Sequence, residues 1–225
     1  MIIEFCGIAG SGKSTQARAL IKNLRSLSLQ SCYTLKEKEK EIIRQREISK
    51  LFFYFKIWAK LAMLTVSEEP FWNLFSPTKT TVPYWLMKDI VLYTFLKKEL
   101  RGKDLVIAEE GIIQHTASLK VRRSLVSLEE KALKVIKELN HPLLVFYLKT
   151  NSIETAYQRV KKRESCSVTL NFLRRYLVEL EGSLEKIKSF QGVTVSVLNT
   201  ETSSLEEAAD SVFSIVKEKV ESLTT

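Results

Sequence analysis

The chain has 225 residues, with 35 Lys and Arg against 26 Asp and Glu, a formal charge of +9. Hydrophobic residues at 45% and charged residues at 27% argue against wholesale disorder, and the length suffices for a full core without disulfides. The three cysteines Cys6, Cys32 and Cys166 are odd in number and lack metal-ligand spacing, so neither a disulfide framework nor a zinc site is suggested; incidental thiols in a reducing compartment are expected.

Met1-Ile2-Ile3-Glu4-Phe5-Cys6 runs directly into a glycine-rich loop and reads as a strand rather than a signal peptide. No window reaches the ~20 apolar residues of a membrane span, and a cytoplasmic protein is expected. Ser14 to Leu27 carries apolar residues at Ala17, Leu20, Ile21, Leu24 and Leu27, a helical stripe. A strand over Ser31 to Leu35 follows, then a charged, helix-prone segment from Lys36 to Glu47. Residues 51–64 form the most apolar window, read as a core helix; aromatics opposite Lys56 and Lys60 are also the composition of an interfacial membrane helix. Residues 66–81 read as an irregular connection, and 83–100 as a helix ended by Gly102.

Asp104 to Ala108 is a buried strand running into Glu109-Glu110-Gly111. Ser127 and Glu130 form a capping box for a helix ending near Asn140. Leu143 to Leu148 is a strand. Asn151 or Ser152 caps a helix through Arg163, Ser165 to Ser167 interrupts it, and another helix covers 170–190. Val193 to Leu198 is the last strand, and a helix from about Ser203 closes the chain. Five apolar strands alternating with helices predict an α/β fold with a five-stranded parallel sheet flanked by helices. The expected organisation is one domain over 1–225, with a helical insertion at about 38–101 and a lid at about 159–175. Ligands in such sheets collect at the carboxyl ends of the strands.

The first such end is Gly7-Ile8-Ala9-Gly10-Ser11-Gly12-Lys13-Ser14, a P-loop or Walker A pattern followed by Thr15. A phosphate chain needs many donors at close range, which a glycine-rich backbone and a helix N-terminus supply. The pattern arises by chance roughly once in 25,000 positions from background frequencies, and here it lies between a strand and a helix. It predicts nucleotide held by Gly7, Ala9, Gly10, Ser11, Gly12, Lys13, Ser14 and Thr15. Lys13 reaches the β- and γ-phosphates of ATP, and the Ser14 hydroxyl ligates Mg²⁺. Glu109 is the candidate catalytic acid, acting as base or as organiser of Mg²⁺ through water, although strand alternation leaves Glu109 and Glu110 both open. Arg159 and Arg163, one turn apart beside a break, are candidate lid cations for the transferring charge.

The opening IIEFCGIAGSGKSTQARAL resembles the start of thymidylate kinases and related nucleoside and nucleotide kinases, AYQRVKKR resembles their lid helix, and VSVLNTETSSLEEAADSV their closing strand and helix. The resemblance implies Mg-ATP as donor and a phosphotransferase with a lid. It places Glu109 at the acid of the family's acid-Arg pair and Lys36-Glu37 at the acceptor-facing end of the second strand. It departs at Glu110, which stands where the family has Arg.

The expected activity is thus ATP-dependent phosphorylation of a small-molecule acceptor. A nucleotide-hydrolysing switch is the main alternative, and the base-reading Asn-Lys-x-Asp of GTPase switches is absent from the sequence. A nucleic-acid end kinase is the third; the basic residues are spread over helices without a recognition motif, which disfavours nucleic acid. The assembly is left open, a homodimer included. His115 and His141 have no partner motif and are expected in ordinary surface or loop roles. Trp58, Trp72 and Trp85 are expected to pack in the core.

Overall fold

The computed structural model describes residues 1–26, 31–45, 53–55, 57, 59, 77–100, 104–121, 126–162, 168–200 and 204–222. Strand β1 (Ile2–Cys6) leads into α1 (Lys13–Ser26), β2 (Cys32–Thr34) and α2 (Leu35–Gln45). Then come α3 (Pro77–Glu99), β3 (Leu105–Ala108), α4 (Ile112–Val121) and α5 (Val126–Lys137). Strand β4 (Leu143–Lys149), α6 (Ile153–Lys161), α7 (Leu170–Lys188), β5 (Val193–Asn199) and α8 (Leu205–Ser222) complete the order.

The five strands form one parallel sheet in the order β2-β3-β1-β4-β5. Strand β1 is central: Ile3 pairs with Ile107 of β3 and with Leu144 of β4. Every residue of β1 is buried, as a parallel strand covered on both faces must be. Its alternation sends Ile3 and Phe5 into a core with Ala17, Leu20 and Leu24 of α1 and Val212 and Val216 of α8. Ile2 and Cys6 point the other way, into a larger core with Leu86, Tyr93 and Leu96 of α3, Ile113 and Ala117 of α4, and Leu173 and Leu184 of α7.

Several boundaries rest on side-chain caps. Thr34 and Glu37 form a reciprocal capping box: Glu37 N donates to Thr34 Oγ1 at 3.1 Å and Thr34 N to Glu37 Oε2 at 2.7 Å. Arg25 donates to both oxygens of the same carboxylate at 2.9 and 2.8 Å. Glu37 is therefore a cap on α2 rather than a group turned to an acceptor. Ser152 caps α6 by accepting from Thr155 N, and Thr169 caps α7 by accepting from Phe172 N.

Three expectations need correction. Helix α4 has no counterpart in the sequence reading: Ile112, Ile113, Gln114, Thr116, Ala117, Leu119 and Val121 are all buried, so no polar face produces a period. Helix α3 begins at Pro77 and carries Pro83 inside it, so 77–81 are helical; Pro77 sits at the first position, where its missing N–H costs nothing. Ser127 lies within α5 rather than capping it, and its buried Oγ has no hydrogen-bond partner. Residues 66–76 lie outside the described residues. Of the apolar 51–64 window, Phe53 and Ile57 are buried and Phe55 is exposed. Among the described residues, no helix is long and apolar enough to cross a membrane.

Candidate functional site

The P-loop connects the carboxyl end of β1 to the first turn of α1, which begins at Lys13 itself. Ser11 N donates to Ile8 O at 3.2 Å, and the amides of Thr15 and Gln16 both donate to Gly12 O at 3.0 Å. Ser11 and Lys13 are buried, Ala9, Gly10, Gly12 and Ser14 are half-buried, and Thr15 is exposed. Lys13 Nζ folds back across the loop, donating to Gly7 O at 3.0 Å and Ile8 O at 3.2 Å.

Gly10 shows why the loop is glycine-rich. Its φ is +86°, a region that disfavours side chains, and an added Cβ would sit 2.6 Å from the carbonyl oxygen of Ala156 in α6. Helix α6 thus packs directly on the loop, with Ala156 and Val160 buried against it. Arg159 lies on this helix and is exposed to solvent. Arg163 and the break at 165–167 lie outside the described residues, as does Cys166. Cys6 and Cys32 are buried free thiols.

After β3, the two glutamates divide. Glu109 is half-buried, whereas Glu110 is exposed and its Oε1 lies 3.9 Å from Lys13 Nζ. Of the pair, Glu110 reaches the P-loop lysine. An exposed contact of this kind is worth under about 1 kcal/mol; its interest is the sign of charge it places at the loop's mouth.

Beneath and beside this loop lies a set of groups that the sequence reading missed. Glu4 is completely buried in β1. Its Oε1 accepts from the amides of Ile113 and Gln114 at 2.9 and 3.3 Å, and its Oε2 from the Tyr93 hydroxyl at 2.9 Å. Burial pushes its carboxyl up to about 7 from 4.5, against the pull of those donors. A carboxylate in a strand buried on both faces was the signal available in the sequence.

His115 and Trp85 are corrections. His115 is neither a surface nor a loop residue: it lies in α4, and its Nδ1 is 2.6 Å from Asp89 Oδ2 in α3. Burial works to lower its pKa, but the facing Asp89, with Glu110 and Glu4 beyond, raises it above 6.5. Burial holds the Asp89 carboxyl above its usual range despite the His115 charge. Trp85 is 45% exposed rather than a core residue, stacks on the His115 ring at 6.5 Å, and carries Lys88 Nζ 4.9 Å over its own ring. Lys88 pairs with Glu39 at 2.7 Å, and Tyr54 donates to the same carboxylate at 2.9 Å. Trp58 and Trp72 lie outside the described residues.

The residues present fit a bound nucleoside triphosphate and its metal. The Ser11 hydroxyl oxygen is buried without a hydrogen-bond partner, the lysine is bent over the loop, and Ser14 stands in the first turn of α1. No family model matches the sequence, and no curated protein matches it. Among solved structures, the chain is similar to a deoxyadenosine kinase from M. mycoides with the products dCMP and a flexible dCDP bound. That match has a TM-score of 0.55 at 15% identity and covers 97% of this chain and 100% of that one. The same kinase with dCTP bound gives a TM-score of 0.54 at 16% identity, over 97% and 100% of the two chains. The likeness is one of fold, a five-stranded parallel sheet flanked by helices. A shikimate kinase from Acinetobacter baumannii in complex with shikimate shares it at a TM-score of 0.50 and 16% identity, over 97% of this chain and 93% of that one.

Proposed function

We propose that this protein is a Mg-ATP-dependent small-molecule kinase that moves the γ-phosphoryl group of ATP onto a hydroxyl of a small acceptor. The observation that carries the reading is the loop itself. A buried lysine lies folded over a glycine turn at the end of the central strand, with an unpartnered serine hydroxyl inside it. Likeness in fold to kinases with nucleotides or shikimate bound supports the same reading.

In this account the amides of 9–14 and the dipole of α1 hold the phosphates, and Lys13 exchanges its loop carbonyls for β- and γ-oxygens. Mg²⁺ would be held by the Ser14 hydroxyl and, through water, by Glu109, and would supply positive charge to the phosphate chain. Arg159, on the helix seated against the loop, moves toward the transferring group together with Arg163, the pair and the 159–175 segment acting as a lid. The insertion at 38–101 supplies acceptor contacts, and Trp85 is one of its exposed aromatics.

The resemblance to thymidylate kinases suggests a nucleoside or related hydroxyl compound as acceptor. Glu110 argues for an uncharged one. Glu110 is exposed and solvent screens much of its charge, but a carboxylate where the family has Arg still repels an acceptor phosphate instead of attracting it. The test is a panel of nucleosides, nucleoside monophosphates and other hydroxyl compounds incubated with Mg-ATP and read by the mass gain of one phosphoryl group. Phosphorylation of a neutral hydroxyl compound by wild type and not by Lys13→Ala supports the proposal. Hydrolysis of ATP indifferent to every acceptor points instead to a nucleotide-hydrolysing switch. Brisk turnover of thymidylate, reduced in Glu110→Ala, contradicts the acceptor argument.

A further inference from the structure

A helix N-terminus is ordinarily capped by a Ser, Thr, Asp or Asn next to it in sequence, as Ser152 and Thr169 do here. The first turn of α4 is held differently. Its amides at Ile113 and Gln114 donate to the Glu4 carboxylate, separated from them by 109 and 110 positions in sequence. The remaining oxygen of that carboxylate is taken by the Tyr93 hydroxyl of α3. Gly111, at the entrance to α4, completes the fit: a Cβ there would come within 2.7 Å of Glu4 Cδ and 2.8 Å of both Glu4 Oε2 and the Tyr93 hydroxyl.

One buried side chain therefore joins three parts of the candidate site. It belongs to β1, which runs into the P-loop. It grips α4, which begins directly after Glu109, Glu110 and Gly111. It is braced by α3, which also carries Asp89 and Trp85. An apolar residue would suit a strand buried on both faces better, because a buried carboxyl is stabilised only by satisfied partners. The three donors satisfy it, and what they fix in place is the 109–111 turn.

Resting on the kinase reading above, we propose that Glu4 is a positioning residue for phosphoryl transfer: by holding the first turn of α4 it sets the 109–111 turn, and with it the Glu110 carboxylate, against Lys13. Within the fold, ionised Glu4 orients the two amides more strictly, since charge-assisted hydrogen bonds are roughly twice as strong as neutral ones, although its desolvation makes the fold as a whole less stable. The carboxyl titrates near 7, so below neutrality the turn is less strictly oriented while the fold is more stable. The charged and titratable groups around it are Tyr93 and Asp89 from α3, His115 from α4, Cys6 from β1 and Tyr176 from α7. Among them, Cys6 and the tyrosines are held neutral by burial, and Asp89 and His115 are engaged with each other.

The experiment compares the full-length wild type with Glu4→Gln and Tyr93→Phe. The first readout needs no activity: the amide resonances of Ile113 and Gln114 are followed by NMR across neutral pH. They are expected to move together with a midpoint near 7 in wild type, to keep in Glu4→Gln only the smaller movement that the neighbouring His115 contributes, and to shift to a higher midpoint in Tyr93→Phe. The second is turnover of Mg-ATP against pH. Wild-type kcat should rise through the same midpoint, and Glu4→Gln should lose that inflection and run about tenfold slower at pH 8. Its ATP affinity should stay within about threefold of wild type. Flat amides in wild type, or a Glu4→Gln profile that keeps the wild-type inflection, overturns the proposal. Wild-type protein that binds no ATP overturns the kinase reading beneath it, while the amide titration still decides whether Glu4 holds α4.

Discussion

Replacing Glu4 by Gln tests the buried carboxyl through stability, independently of turnover. The side chains are nearly isosteric, and Gln retains an oxygen for the amides of Ile113 and Gln114. At pH 5 wild-type Glu4 is protonated in the fold, so the two proteins should differ by no more than about 1 kcal/mol. The folded-state pKa of about 7 lies above the unfolded value of 4.5. Between those values the native state binds the extra proton, so stability falls as pH rises. At about 1.4 kcal/mol per pH unit, the gap amounts to about 3 kcal/mol by pH 8. The raised pKa values of Asp89, caused by its burial, and of His115, caused by the facing Asp89 charge, add to the same trend, but in both proteins. Urea unfolding at half-unit steps from pH 5 to pH 8 should therefore show wild type losing about 3 kcal/mol relative to Glu4→Gln. Parallel curves would refute the reasoning and place Glu4 in contact with water or with a cation.

Gly10→Ala should abolish ATP binding, because the new Cβ meets the Ala156 carbonyl at 2.6 Å in a backbone region with φ of +86°; calorimetric titration of ATP reads this, and binding within threefold of wild type would contradict it. Glu109→Gln should lower kcat by at least tenfold with ATP affinity little changed, the signature of a group acting in the transition state; steady-state kinetics that leave kcat intact would move the role to Glu110. Arg159→Ala should lower kcat by about 10²-fold or more if the arginine meets transferring charge, and unchanged kinetics would leave it a solvated side chain on α6.

The sheet was legible in the sequence because each strand is a short apolar run bounded by turn residues, and the parallel alternation follows from their order. The glycine-rich loop was legible for a related reason: the eight residues that form it are contiguous between β1 and α1. What escaped reading was non-local or unpatterned. Helix α4 is buried on nearly every side, so Ile112 to Val121 shows no helical period. The Asp89–His115 pair joins residues 26 positions apart on two helices, and the Glu4–Tyr93 bond spans 89; no spacing rule connects such partners. Glu37 misled for the opposite reason, since its position at the end of β2 suggested an acceptor contact while its local bonds to Thr34 make it a cap.

The central claim is that Lys13 and its loop hold the phosphates of Mg-ATP. Isothermal titration of ATP with Mg²⁺ into wild type and into Lys13→Ala, with unfolding curves to confirm that both are folded, tests it most directly. Loss of a buried cation from a polyphosphate site costs about 3 kcal/mol or more, so affinity should fall at least about 100-fold with the unfolding midpoint nearly unchanged. Equal affinity in the two proteins would contradict the account.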